Sequence, residues 1–439
     1  MRFLRSVALV LVALVATTAA GWPTNHGDNR RTGYDPTAAT YRGLRTAFGV
    51  PLDGAVYGSP IVVGSTVVVA TENNSVYALD AGTGRIRWRH HLRTAVTDTG
   101  YFACPGNIRP SGITGTPAYD AATGRVFVVT VTPVGSGSGR TVHHEIWGLR
   151  LSDGGTAMNR RVEVPGTDPR AEQQRAALAT ANGNVYIAFG GLAGDCGDYK
   201  GAVISLRTNG ALGGVAYVVP TTREAGIWAP GGPVVAADGS VYVAVGNGES
   251  RTSYDYSDSV TRLSPSMQRL DYYSPTTWAH DNEVDADLGS MSPALTGNGF
   301  VLQAGKSGTG YVLRQNRLGH VGGQVSQGSL CRAFGVSAVT GSTVYMPCTD
   351  GVSRVEVSSA GTFRRVWRNT TGITSSPVAG PGALYATGGS RLYALNPRTG
   401  TVLGSADLGS STLRFTTPAL SGNKAYVGTT AGVVAVTIG

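Results

Sequence analysis

A short unit recurs along this chain eight times, and its period decides what the chain can fold into. Each copy opens with a small residue and usually a proline. It continues as a short apolar strand, turns, and returns as a second strand rich in valine and tyrosine. The openings centre on Pro60, Pro117, Leu178, Pro233, Pro293, Ala338, Pro377 and Pro418. Spacings of about 40 to 60 residues are those of β-propeller blades, none of which can bury its apolar faces alone. Proline suits the opening because the first strand of a blade is an edge lining the channel, where a missing N–H costs little. Second strands such as Val241-Tyr242-Val243-Ala244-Val245 and Val344-Tyr345-Met346 are β-branched or aromatic and bounded by glycine, asparagine and serine turns. They are too short for helices.

The last copy stops after three strands, while Thr46-Ala47-Phe48-Gly49-Val50-Pro51-Leu52 precedes the first copy with no blade of its own. The N-terminal strand is therefore expected to complete the eighth blade, which joins the chain ends and removes exposed sheet edges. The chain reads as all-β: a lead-in over 21–44 and a single eight-bladed propeller of four-stranded blades over 45–439.

Composition excludes other classes. Hydrophobic residues at 41 % and charged residues at only 14 % are those of a packed protein and not of a disordered chain. The formal charge of +9 is carried mostly by arginines that never run beyond pairs such as Arg160-Arg161 and Arg364-Arg365. That falls short of the basic stripe needed for phosphate backbones, so no nucleic-acid partner is expected. Arg2 and Arg5, an apolar run over 7–15 and small residues up to Ala20 read as a secretory signal peptide cleaved near Ala20. No later apolar run approaches a membrane span. The expectation is a secreted or extracytoplasmic monomer. Its four cysteines, Cys104, Cys196, Cys331 and Cys348, suit two disulfides, with three connectivities open. The pairs His90-His91 and His143-His144 sit on strands where neighbours point to opposite faces, so neither pair shares a metal. No Gly-x-Ser-x-Gly elbow supports serine hydrolysis.

The turn from Ala78 through Asp80, Thr83 and Gly84 to Trp88 resembles the tryptophan-docking motif of the quinoprotein, or PQQ-repeat, propeller family. Trp22-Pro23 with Asp28, Arg31, Thr32, Gly33 and Tyr34 is similar to the lead-in of its secreted members. The family holds quinone-dependent dehydrogenases with a calcium-bound cofactor, and non-enzymatic scaffolds such as a propeller lipoprotein of the outer-membrane assembly machinery. The resemblance implies a site on the face where the loops after second strands and the crossings between blades open. There Val245-Gly246-Asn247-Gly248 resembles the stretch whose asparagine ligates calcium, and Asp285 matches the aspartate that binds the metal and serves as general base. Lys306 resembles the lysine on the quinone oxygens, and Trp228 a tryptophan beside the cofactor. Asp195 or Asp198 would supply the further calcium carboxylate, since Gly194-Asp195-Cys196-Gly197-Asp198 contains no glutamate. Calcium takes six to eight hard oxygens, which is why these residue types matter. On the same face, Cys104 and Cys196 occupy the crossing into blade two and a loop of blade three, and Cys331 and Cys348 matching loops of blade six. The expected pairs are Cys104–Cys196 and Cys331–Cys348.

Each candidate also has a plainer reading: Asn247 as a turn residue, the run from Asp281 to Asp287 as a solvated loop, Lys306 as its surface ion-pair partner, and Trp228 as packing. Cys104 lacks an adjacent cysteine and no Cys-x-x-Cys-His haem motif is present. The favoured reading is a scaffold binding a small molecule or protein at a remnant quinoprotein-type pocket. The alternative is an active PQQ- and calcium-dependent dehydrogenase of alcohols or sugars.

Overall fold

The computed structural model describes residues 21–439; the leader expected over 1–20 lies outside them. Eight antiparallel sheets form an eight-bladed propeller. Blade one is typical, running outward from the channel as Ile61–Val63, Thr66–Ala70, Ser75–Asp80 and Ile86–His91. Pro60, Pro117, Pro233, Pro293, Pro377 and Pro418 each sit immediately before an inner strand. The ring imposed by the lost N–H falls at the one place where a blade needs no ladder bond.

The closing strand is Arg45–Pro51, antiparallel to Gly432–Thr437, with Arg45 opposite Thr437 and Pro51 opposite Gly432. It is the outer strand of blade eight, whose other members come from the far end of the chain. Seams between blades are filled by interleaved aliphatic residues, as where Ile61, Val68 and Val76 of blade one meet Val126, Val128 and Leu149 of blade two. Full burial of each such side chain is worth about 1.5 to 3 kcal/mol. Tryptophans on outer strands lock two seams. The indole of Trp88 donates to the Leu151 carbonyl at 2.9 Å, and that of Trp367 to the Pro397 carbonyl at 3.2 Å. Gly154, at φ +71°, lies under the Trp88 ring, where a Cβ would come within 2.6 Å of it.

Two details depart from the regular blade. His320–Val321, from within blade five, pairs in parallel with the outer strand Arg269–Ser274 of blade four. The crossing into blade five holds a six-residue helix, Trp278–Glu283. Among the described residues no helix is long and apolar enough to cross a membrane.

The lead-in threads across one end of the channel and hydrogen-bonds to the inner region of blade after blade. Trp22 exchanges two bonds with Val62 of blade one, and Pro23 accepts from Tyr119 of blade two. Asn29 bonds Thr180 of blade three and accepts from Val235 of blade four. Thr32 and Gly33 accept from Val339 of blade six and Ala379 of blade seven, and Ala39 donates to Gly422 of blade eight. Arg31 is buried at the centre: Nη2 donates to the Leu178 carbonyl at 2.8 Å, and Nη1 to Thr24 Oγ1 at 2.6 Å and the Asn25 carbonyl at 3.0 Å. Polar backbone groups of seven of the eight blades thus find partners near the axis in one segment.

Candidate functional site

At the opposite end from the lead-in the channel opens into a funnel enclosing about 550 Å³. Its wall follows from the blade frame. The residue four positions ahead of the inner strand is Tyr57 in blade one, Thr114 in two, Arg175 in three, Pro230 in four, Phe334 in six and Phe415 in eight, and all six line the funnel. Loops after the second strands add Asp195, Asn247 and Lys306 from blades three, four and five. Trp228, Asn247, Asp285, Lys306 and Asp195 are thereby brought together in one cavity, whereas Asp198 is exposed and does not line it. Asp281 is also outside the funnel wall; it is buried and accepts from the Thr277 hydroxyl at 2.6 Å.

Asp287 is the residue that sequence reasoning missed. Its side chain is 4 % exposed, against 62 % for Asp285, and the Lys306 ammonium reaches both, at 2.6 Å from Asp287 and 2.5 Å from Asp285. The other Asp287 oxygen accepts the Asn247 backbone N–H at 2.8 Å. Gly246 makes this possible, because a Cβ there would lie 2.2 Å from that oxygen. The Gly-Asn-Gly turn is therefore a carboxylate cradle. Burial alone would lower the pKa of Lys306, but the charges of Asp287 and Asp285 outweigh it and hold the amine protonated, above the free lysine value.

The rest of the wall is aromatic and cationic. Trp228 meets Phe334 and Phe415 with ring centroids 6.0 and 6.2 Å away, tilted by 52° and 67°. The Arg175 guanidinium lies 5.5 Å from the Trp228 ring and 5.8 Å from Phe415, and Arg414 lies 5.6 Å from Phe334. Both Arg175 hydrogen bonds go to the neutral Gln173 amide oxygen. Among the described residues no carboxylate comes within 4.0 Å of Arg175 or Arg414. Asp195, by contrast, accepts from the Tyr199 hydroxyl at 2.6 Å. Behind the wall, burial raises Glu72 to about 7, against the N–H of Gly112 and the hydroxyl of Thr114 that bond it. Disulfides brace the lip: Cys104 is bonded to Cys196, beside Asp195, and Cys331 to Cys348, near Phe334.

Asp287 carried a signal, since it stands two residues beyond Asp285 in the quoted acidic run. Arg175, Phe334 and Phe415 carried another, the shared offset from successive inner strands.

A PQQ-repeat family model described as outer membrane protein assembly factor BamB matches residues 37–264, just over half of the chain. No curated protein matches it in sequence. In structure it is similar to quinohemoprotein alcohol dehydrogenase from Comamonas testosteroni, with TM-score 0.73 and 15 % identity over 96 % of this chain and 81 % of that one. A europium-containing methanol dehydrogenase gives 0.70 and 14 % over 96 % and 98 %, and BamB from Moraxella catarrhalis 0.58 and 13 % over 90 % and 97 %. Identities this low speak to the fold alone, and the family follows from the sequence model: the chain belongs to the PQQ-repeat β-propeller family.

Proposed function

We propose that this protein is a ligand-binding propeller whose funnel takes a small organic anion with a flat apolar part. The observation that carries this reading is the pairing of charges along the wall. Each carboxylate already has a partner, Asp285 and Asp287 in Lys306 and Asp195 in Tyr199, whereas Arg175 and Arg414 have none. Unpaired guanidiniums around Trp228, Phe334 and Phe415 suit a carboxylate attached to an unsaturated or aromatic body. A concave and largely apolar cavity with a few converging polar groups is the usual form of such a site.

The dehydrogenase reading asks for a divalent ion on Asn247 and Asp285 with a quinone laid on Trp228, and these residues do not fit it. Lys306 already takes both carboxylates, at 2.5 and 2.6 Å, so its ammonium occupies the point where the ion would sit. No catalytic step is therefore assigned to the funnel.

Titration with benzoate and 1-naphthoate, read by quenching of Trp228 fluorescence, tests this. Binding should weaken by about 10- to 100-fold in Arg175→Gln, the loss expected for charge-assisted hydrogen bonds. The neutral amides should not bind. Dye reduction with PQQ, calcium and an alcohol would overturn the reading.

A further inference from the structure

We propose that Lys306 is a built-in substitute for a metal ion, so that the positive centre of this funnel is covalent and not exchangeable. The inference deepens the ligand-binding reading and rests on it. Asp285 and Asp287, two apart on one segment, converge on a single point, and Asn247 belongs to the same wall. Their oxygens would make a good share of the six to eight that calcium or a lanthanide takes. The point itself holds the lysine ammonium.

The lysine is not a mobile surface chain that a metal could brush aside. Its backbone N–H donates to the Asp287 carbonyl at 2.8 Å, and the preceding Gly305 accepts from Ala333 N–H at 3.0 Å. A Cβ on Gly305 would lie 2.1 Å from that same Asp287 carbonyl. The turn carrying Lys306 is thus clamped directly against the segment carrying both acids, and the side chain is only 15 % exposed. A divalent ion would have to enter beside an ammonium within 3 Å of both carboxylates, or expel it into the funnel. Like charges at such separations repel strongly in a partly buried site. An ammonium carries three donors, two of which the aspartates take, so one remains for an anionic ligand.

Terbium luminescence sensitised by nearby indole reads the site directly, because the point lies 5.8 Å from the Trp228 ring. The wild-type protein should give no sensitised emission at micromolar terbium. Lys306→Met, which leaves the two acids without a counter-charge, should gain emission that EDTA abolishes and calcium competes away, and Lys306→Met/Asp287→Asn should lose it again. Lys306→Gln, which keeps a donor between the acids, serves if the methionine variant fails to fold by circular dichroism. Wild-type emission as strong as the variant's would overturn the inference, as would a folded variant that binds no terbium. Either result leaves naphthoate binding untouched, whereas loss of naphthoate binding with the terbium pattern intact would sink the ligand reading alone.

Discussion

Replacing Arg31 with alanine should destabilise the protein by about 3 to 5 kcal/mol, enough to abolish folding at physiological temperature in a marginal domain. The side chain is 1 % exposed and its nitrogens serve three buried oxygens, on Thr24, Asn25 and Leu178. Alanine would strand the Asn25 carbonyl, leave the Leu178 carbonyl with only the Thr24 hydroxyl, and open a cavity at the centre of the lead-in. Arg31→Lys should fall between, because a point charge cannot reach the acceptors that the guanidinium fork spans. Urea denaturation measures both. A loss below about 1 kcal/mol for the alanine variant, the size of one ordinary hydrogen bond, would mean that the segment crossing the channel is decoration.

Stability should peak on the acid side of neutrality and fall by about 2 kcal/mol between pH 6.5 and 8. Four buried groups set this. Burial pulls His26 down to about 3 and His144 to about 4, and pushes Glu72 up to about 7 and Glu172 to about 8. The histidines are depressed, so their contribution is complete above the unfolded value near 6.5 and is lost as pH falls toward 3 or 4. The carboxyls are raised, so theirs is complete below about 4.5 and is lost as pH climbs to 7 or 8. Between 4.5 and 6.5 the proton counts of the folded and unfolded chains cancel for these four groups. Asp258, raised well above its usual value by complete burial, tilts that window toward its acid end. Glu172 has one oxygen with no partner, and Glu172→Gln should gain stability over wild type at pH 8 while gaining none at pH 5. Stability that rises from pH 6 to 8 would contradict the assignment.

The blades were legible because six of the eight inner strands announce themselves twice, by a proline at a permitted edge and by a valine-rich partner a turn later, and the period carries the other two. Closure was legible because one strand lacked a blade and one blade lacked a strand. The same frame held more than was taken from it: Tyr57, Thr114, Arg175, Phe334 and Phe415 share one offset, so aligning the copies would have listed a ring of axial residues. The acidic run misled because charge suggests solvent. Its ends, Asp281, Asn282 and Asp287, are buried, and Glu283, Val284 and Asp285 are exposed between them. Nothing periodic marked the lead-in as a channel closure, since it is held by one or two bonds at a time to strands far apart in sequence. The parallel pairing of His320–Val321 with blade four was hidden for the same reason.

A crystal structure of the protein grown with calcium and 1-naphthoate together tests the central claim most directly. The account predicts the carboxylate on Arg175, the naphthalene ring among Trp228, Phe334 and Phe415, and the Lys306 ammonium still between Asp285 and Asp287. A calcium ion bound by Asn247, Asp285 and Asp287, with Lys306 displaced, would contradict it.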